Sequence, residues 1–181
     1  MKTIIFLSGL AVSKSLAKSS LVWNDSLWKD YNRIYYTSLL PTSDQMVINE
    51  LKNLSNLYFK HPDAYFVGHS LGAWWLANLV NEPYIDIRKM VLMTPLVDTK
   101  YYPIFNVTEK FNPIFRGKKL YGLDKVCILP ANKDLVVSPR HHADLLIQYL
   151  NAIVYVLDGG HLYQHNHLLG LEFMKYWLNR I

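Results

Sequence analysis

The stretch Ala64-Tyr-Phe-Val-Gly-His-Ser-Leu-Gly-Ala-Trp-Trp75 decides the fold of this chain. The apolar run 65–67 predicts a buried strand, and 71–80 predicts a helix. Between them, Gly68-His-Ser-Leu-Gly72 has the pattern G-x-S-x-G. In that context the turn is so sharp that the central serine takes a strained backbone conformation, and larger residues in place of the glycines would clash. We therefore expect Ser70 at the carboxyl end of the strand, above a helix N-terminus that favours developing negative charge.

Length and composition indicate what class of protein contains this turn. The 181 residues fit a single domain, 1–181, and a content of 51% hydrophobic and only 18% charged residues indicates a core-rich globular protein. The single cysteine, Cys127, can build neither a disulfide framework nor a cysteine metal site, which favours a reducing, cytoplasmic compartment. The net charge of +5 comes from scattered lysines and arginines, which is typical of a solvated surface and not of a nucleic-acid stripe. No run approaches the ~18 apolar residues of a membrane span.

The first twelve residues, Met1 to Val12, allow two interpretations. A lysine, an apolar run and small residues near Ala17 resemble a short secretory signal. The alternative is a buried strand over 3–7 that runs into the turn Ser8-Gly9-Leu10. Because Gly9 interrupts the apolar run early and Lys14 follows closely, the sequence favours the strand.

Strands and helices alternate along the rest of the chain. Further strands are predicted over 33–39, 87–94, 125–130 and 152–157, and helices over 43–60, from 138 onward and over 169–178. The helix over 43–60 carries one apolar stripe, and the helix from 138 is expected to bury Ala143, Leu146, Ile147 and Leu150. The alternation predicts an α/β protein, a three-layer α/β/α sandwich with about six mostly parallel strands and helices on both faces. The irregular, aromatic segment 96–124 is either a packed surface loop or a small flap over a pocket.

Reacting groups of an open parallel sheet collect beyond the carboxyl ends of its strands. A serine hydroxyl such as that of Ser70 needs a base within hydrogen-bond reach, and His161 is the candidate because it follows the last strand after two glycines. The imidazole in turn needs a carboxylate on its other nitrogen. Asp134, four residues past a predicted strand end, fits this role, and Asp98 is the alternative.

The oxyanion formed on a substrate carbonyl would need backbone donors. The N–H groups of Leu71, directly after the nucleophile, and of Leu10, in the first turn, are the candidates. An apolar acyl pocket is predicted from five residues that neighbour these loops. They are Leu10, His69, Trp74, Tyr101 and Phe105. For two of them, Trp74 and the His69 of the Gly68–Gly72 turn, the sequence favours packing over contact with a ligand. A metal site built from His161, His165 and His167 is disfavoured, because no acidic or cysteine ligand stands nearby.

Three segments, Val67–Ala73, Pro130–Asp134 and Gly159–His161, resemble the catalytic loops of the α/β-hydrolase superfamily. The short chain without a large cap domain is similar to its smallest members, the single-domain serine hydrolases and esterases of the retinoblastoma-binding-protein-nine type. Two departures are visible: Ser8-Gly9 stands where the family usually has His-Gly, and the first two strands of the full fold have no counterpart.

This resemblance implies a serine hydrolase that cleaves small-molecule carboxylic esters through a Ser-His-Asp triad and an acyl-enzyme, without a cofactor. The aromatic segment after residue 100, with Leu10, Leu71 and Trp74, predicts acyl chains of small to medium length. Thioesterases, lipases, peptidases and acyltransferases use the same constellation, so the sequence does not separate them. It also leaves the oligomeric state open. A non-catalytic interaction module that kept the fold is the alternative from a different class.

Overall fold

A computed structural model of the chain describes residues 1–10, 28–96, 98–99, 102, 104–111, 125–138, 144, 147, 151–161 and 167–180. Its strands are β1 (Lys2–Leu7), β2 (Tyr31–Tyr36), β3 (Tyr65–His69), β4 (Lys89–Met93), β5 (Val126–Leu129) and β6 (Ile153–Val154). The helices within the described part are α1 (Asp44–Lys60), α2 (Leu71–Leu79) and α3 (His167–Asn179), with a short 3-10 turn at Glu109–Phe111.

The six strands form one parallel sheet in the order β2-β1-β3-β4-β5-β6. The register across its centre places Phe6 beside Val67, Val67 beside Val91 and Val91 beside Cys127. The carboxyl ends of the strands therefore lie along a single edge, and β3 with its G-x-S-x-G turn stands in the middle of that edge. The prediction of about six parallel strands is confirmed.

The sheet buries both of its faces, because alternate residues of each strand point to opposite sides. One face packs against α1 and α2, and its core includes Ile5, Leu7, Phe66, Leu92 and Ile128 from the sheet with Val47, Leu51, Leu54 and Leu76 from the helices. The other face packs against α3, and its core includes Ile4, Phe6, Val67, Val91 and Cys127 with Met174, Trp177 and Leu178. The predicted α/β/α sandwich is confirmed.

The N-terminal run is the second strand of this sheet. β1 pairs with β2 on one side and β3 on the other, so its apolar residues are those of a buried parallel strand. The residues after Leu10 that entered the secretory interpretation lie outside the described part of the chain. Across that described part, no helix has both the length and the apolar character to cross a membrane.

Three boundary or burial predictions were wrong. β2 was predicted over 33–39 but spans Tyr31–Tyr36, because its register follows β1 from Lys2 to Leu7, and Leu39 beyond it is 47% exposed. β6 is shorter than predicted, and its ladder resumes only at the isolated pairing of Ala131 with Leu157. Ile147, expected to face inward, is 40% exposed.

The described part of the aromatic segment 96–124 is tied to the body of the protein. The Tyr102 hydroxyl donates to the Val136 carbonyl at 2.9 Å, and the Thr108 N–H and hydroxyl donate to the two carboxylate oxygens of Asp44 at 2.9 and 2.8 Å. Lys110 adds an ion pair to Asp44 at 3.0 Å. These contacts anchor the segment to α1 and to the loop after β5, while residues 112–124 lie outside the described part.

Candidate active site

The backbone of Ser70 is strained at the junction between β3 and α2. Its φ of 51° and ψ of −112° lie in a region that L-residues rarely adopt, at a cost of about 1–3 kcal/mol. Four backbone hydrogen bonds hold it there. The Ser70 N–H donates to Met93 O at 2.9 Å, and its carbonyl accepts from Ala73, Trp74 and Leu96 N–H at 3.0, 3.3 and 3.3 Å. β4 and the loop after it thus impose the turn that the G-x-S-x-G pattern predicted.

The two glycines of the turn are required by close backbone approach. A Cβ atom on Gly68 would lie 2.6 Å from the Gly72 carbonyl oxygen and 2.7 Å from the Ala73 nitrogen. A Cβ on Gly72 would collide with the carbonyl oxygen of Leu7, at the end of β1. The second clash shows that α2 begins directly against β1. The turn Gly68–Gly72, called the elbow below, is therefore held between its own helix and the neighbouring strand.

The Ser70 side chain lies beside the turn that follows β1. Ser70 is 7% exposed, and its side chain makes no capping hydrogen bond to α2, so the helix does not occupy the hydroxyl. A Cβ on Gly9 would lie only 3.4 Å from Ser70 Cβ. The Gly9 turn is anchored by Ser8, whose buried hydroxyl accepts from the Ser38 N–H at 3.1 Å. Ser8, which departs from the family pattern, thus has a structural role.

His161 and Asp134 are hydrogen-bonded. His161 Nδ1 lies 2.8 Å from Asp134 Oδ2, and the Asp134 side chain is 1% exposed. The other carboxylate oxygen accepts from the Val136 and Val137 N–H groups at 2.8 and 2.9 Å. Since an ionised carboxylate can only accept, this contact places a proton on Nδ1 and leaves Nε2 of a neutral His161 as the basic nitrogen.

The loops that carry these two residues are joined to each other beyond the ends of β5 and β6. Asn132 N–H donates to Leu157 O at 2.9 Å, Lys133 N–H donates to Gly159 O at 2.9 Å, and the Asn132 side chain accepts from Gly159 N–H at 3.1 Å. A Lys133–Asp158 ion pair at 2.9 Å closes the same junction. Sheet-like pairing therefore continues past the strands and sets Asp134 opposite His161.

The carboxyl of Asp134 is held in its charged form. Burial by itself would raise its pKa, but the hydrogen bonds from His161 and from the two backbone N–H groups outweigh burial and bring the pKa below the ordinary value of 3.8. A carboxylate that stays ionised at neutral pH can orient the imidazole and stabilise an imidazolium.

His69, inside the elbow, contacts the backbone of His161. Its Nε2 lies 2.9 Å from the His161 carbonyl oxygen, and the two rings are 5.1 Å apart. Burial, followed by the neighbouring His161, lowers the pKa of His69 from 6.5 to about 4, so the ring is neutral at pH 7. The sequence contained no signal for this contact, because it joins residues 92 positions apart.

Ser70 and His161 therefore meet at the same edge of the sheet, since His161 is hydrogen-bonded to the residue that precedes the serine. No hydrogen bond joins the Ser70 hydroxyl to the His161 ring among the residues that the structure describes. Catalytic hydrogen bonds often tighten only when substrate binds. The structure thus contains the Asp134–His161 hydrogen bond and brings Ser70 to the same edge of the sheet.

The remaining predicted site residues occupy different environments. Leu71 is the first residue of α2, so its N–H has no partner within the helix. Leu10 is 39% exposed in the turn beside Ser70. Trp74 is 0% exposed and packs against Trp75 and Phe105, with ring centres 4.7 and 6.1 Å away, so it lies in the core behind Phe105.

Three other sequence predictions concern the pocket residue Tyr101, the alternative acid Asp98 and a histidine metal site. Tyr101 lies outside the described residues. The rival acid Asp98 is also buried, but it is Asp134 that His161 contacts. Among the described positions, no group of three His, Cys, Asp or Glu side chains could hold a metal ion, and His165 is not among those positions.

The chain resembles known proteins in structure but not in sequence. No family model and no curated protein sequence matches the chain. Solved structures match over nearly its whole length. A protein from Xanthomonas campestris pv. campestris assigned to the α/β hydrolase superfamily has a TM-score of 0.70 at 14% identity, with 100% of both chains covered. Est1E from Butyrivibrio proteoclasticus has a TM-score of 0.67 at 15% identity, covering 98% of this chain and 86% of its own. The ydeN gene product of B. subtilis has a TM-score of 0.69 at 14% identity, covering 99% of this chain and 100% of its own. At these identities the likeness shows the fold.

Proposed function

We propose that this chain, whose fold is the minimal α/β-hydrolase fold, is a serine hydrolase that cleaves carboxylic esters of small to medium acyl chain. The observation that carries the proposal is the 2.8 Å contact between His161 and Asp134 at the sheet edge that also presents the strained Ser70. A positive-φ serine costs free energy, and it persists where a function requires the side chain in that place.

In the proposed acylation step, Ser70 Oγ attacks the ester carbonyl carbon while its proton moves to His161 Nε2. The carbonyl π electrons move to oxygen and form a tetrahedral oxyanion. When this intermediate collapses, the C–O bond to the alcohol breaks and His161 returns the proton to the leaving oxygen. The alcohol departs and the acyl group remains on Ser70.

Deacylation repeats the sequence with water. His161 Nε2 takes a proton from the attacking water, a second oxyanion forms, and its collapse breaks the bond to Ser70 Oγ, which recovers the proton. Asp134 stays ionised throughout and stabilises the imidazolium in both steps. The N–H groups of Leu71 and Leu10 are the proposed oxyanion donors, and loss of one such donor costs on the order of 3 kcal/mol in transition-state stabilisation.

The proposed acyl pocket lies between the first turn and the aromatic segment. His69 and Ser70 both lie against the Gly9 turn, which carries Leu10. Phe105 packs on the buried Trp74 and is proposed to form the opposite wall. Tyr101 lies outside the described residues and stays a pocket residue predicted from the sequence. An apolar pocket built from these residues would favour acyl chains of small to medium length.

Other parts of the proposal follow from the chemistry. The triad needs no cofactor, the substrate is a small-molecule ester, and we propose a cytoplasmic enzyme without a nucleic-acid partner. The segment 96–124 is proposed as a small flap over bound substrate. Its described part is held to the body of the protein at Tyr102 and Thr108.

The decisive test is reaction with a fluorophosphonate probe together with a panel of p-nitrophenyl esters from acetate to decanoate. Wild type should be labelled and should turn over the shorter esters, and Ser70→Ala should do neither. Ser55→Ala, a serine in α1, is the matched control and should behave as wild type. Since Est1E has been solved with ferulic acid bound, a feruloyl ester and a thioester complete the panel.

Equal labelling of wild type and Ser70→Ala would overturn the proposal. So would an intact fold without turnover of any ester, and that result would favour the non-catalytic interaction module.

A further inference from the structure

We infer that His69 is a positioning residue, whose Nε2–H holds the backbone of His161 over the elbow. The inference rests on the proposed function, because it assigns His161 the role of base. Besides its proposed place beside the acyl pocket, His69 would act through its hydrogen bond on the loop that carries His161.

The need for such an anchor follows from the sheet order. His161 follows β6 at the sheet edge, whereas Ser70 follows β3, and β4 and β5 lie between them. With strands about 4.8 Å apart, three spacings separate the two strand ends by roughly 14 Å. The loop after β6 must therefore return across the carboxyl edge of two strands to bring His161 to the serine. The 2.9 Å contact with His69 is made at the point where that return path arrives.

The contact also defines the tautomer of His69. A carbonyl oxygen can only accept, so Nε2 carries the proton, and in the neutral ring Nδ1 is bare. A Cβ on Gly9 would lie 3.0 Å from that Nδ1, which means that the ring is packed against the first turn. One edge of the imidazole thus faces the proposed oxyanion turn and the other contacts the loop of the proposed base, so the ring lies between the two loops.

Neutrality of His69 suits this role. The groups that face it are the His161 ring, 5.1 Å away, and the Asp134 carboxylate. During turnover His161 becomes an imidazolium, and a second positive charge at that distance would oppose its formation. Because burial keeps His69 uncharged at pH 7, it offers a hydrogen-bond donor without adding that charge.

The test compares His69→Gln with His69→Met. The two side chains have similar length and volume, but only glutamine carries an N–H donor near the place of Nε2. Both replacements change the wall of the proposed acyl pocket to a similar extent, so a difference between them reports the N–H donor. We expect the methionine variant to lose about 10- to 100-fold in kcat, since the loop that carries His161 is displaced. The glutamine variant should retain kcat within about fivefold of wild type.

A second measurement does not depend on turnover. In wild type and His69→Gln, the proton on His161 Nδ1 should give a protected downfield NMR signal that His161→Gln and Asp134→Asn remove. In His69→Met that signal should broaden through exchange with water. Undiminished kcat and an unchanged signal in the methionine variant would overturn the inference, and so would a glutamine variant as impaired as the methionine one.

The two proposals fail in distinguishable ways. Absence of probe labelling at Ser70 in wild type would remove the proposed function, whereas the NMR comparison would still report whether His69 holds His161 against Asp134. Should His69→Met not fold, the glutamine variant decides alone, because more than a tenfold loss of its kcat contradicts the role of the donor.

Discussion

Replacement of Asp134 by asparagine tests the candidate site most directly. Asparagine has almost the shape of aspartate, and its carbonyl oxygen can still accept from the Val136 and Val137 N–H groups, as Asp134 Oδ1 does at 2.8 and 2.9 Å. The loop should therefore keep its conformation. The change is confined to the second oxygen, which becomes an NH₂ group 2.8 Å from His161 Nδ1.

The expected loss of kcat follows from the tautomer that His161 would adopt in this variant. An NH₂ group donates, so it cannot accept from Nδ1–H, and His161 would move its proton to Nε2 in order to receive that donor. The nitrogen that must take the proton from Ser70 is then already protonated. Loss of the correct tautomer in a triad of this kind costs about 10⁴ in kcat, which corresponds to about 5.5 kcal/mol in the activation barrier. We expect a much smaller loss of folding stability, about 1–2 kcal/mol.

The assay is hydrolysis of p-nitrophenyl butyrate at pH 7.5, with the rate of probe labelling at Ser70 as a second readout and urea unfolding as a check on the fold. Asp98→Asn is the matched control, since Asp98 is likewise a buried aspartate after a neighbouring strand. It should keep kcat within about tenfold. A kcat for Asp134→Asn within tenfold of wild type, or a larger loss for Asp98→Asn, would refute the assignment of the acid.

Three further predictions concern stability. Gly68→Ala should lower the free energy of unfolding, measured by urea titration, by about 1–3 kcal/mol or more, because its Cβ would lie 2.6 Å from the Gly72 carbonyl oxygen. Gly160→Ala is the control and should be nearly neutral, because its Cβ would lie 3.9 Å from the nearest atom, the Lys133 carbonyl oxygen. Folding lowers the pKa of His69 from 6.5 to about 4, so the unfolded chain binds a proton between these two pH values that the folded chain does not. The free energy of unfolding should therefore be at its full value above pH 6.5 and fall by roughly 3 kcal/mol as the pH is lowered to 4. His69→Gln should remove this pH dependence, as measured by urea unfolding at a series of pH values. Ser8→Ala should cost about 1–3 kcal/mol, because it leaves the buried Ser38 N–H without its acceptor, and a thermal melt unchanged from wild type would contradict this.

Much of the fold could be predicted from local pattern. The G-x-S-x-G turn, the apolar strands and the stripe of Val47, Leu51, Leu54 and Tyr58 in α1 are short-range features, because strand and helix periods repeat within a few residues. Right-handed crossovers then restrict how alternating strands and helices can assemble. These features also brought Asp134 and His161 forward as candidates, since both follow strands whose carboxyl ends must share one edge.

Sequence by itself thus determined the α/β architecture, the strained serine and the candidate residues of the site. Only the tertiary structure decided that Asp134 and not Asp98 meets His161, where β2 and β6 end, and that His69 receives the loop after β6. The physical reason is range: periodicity and turn chemistry act over a few residues, whereas these contacts depend on the strand order, the register and the return path of a loop. The bond between His69 and His161 spans 92 positions, and nothing in either local sequence specifies it.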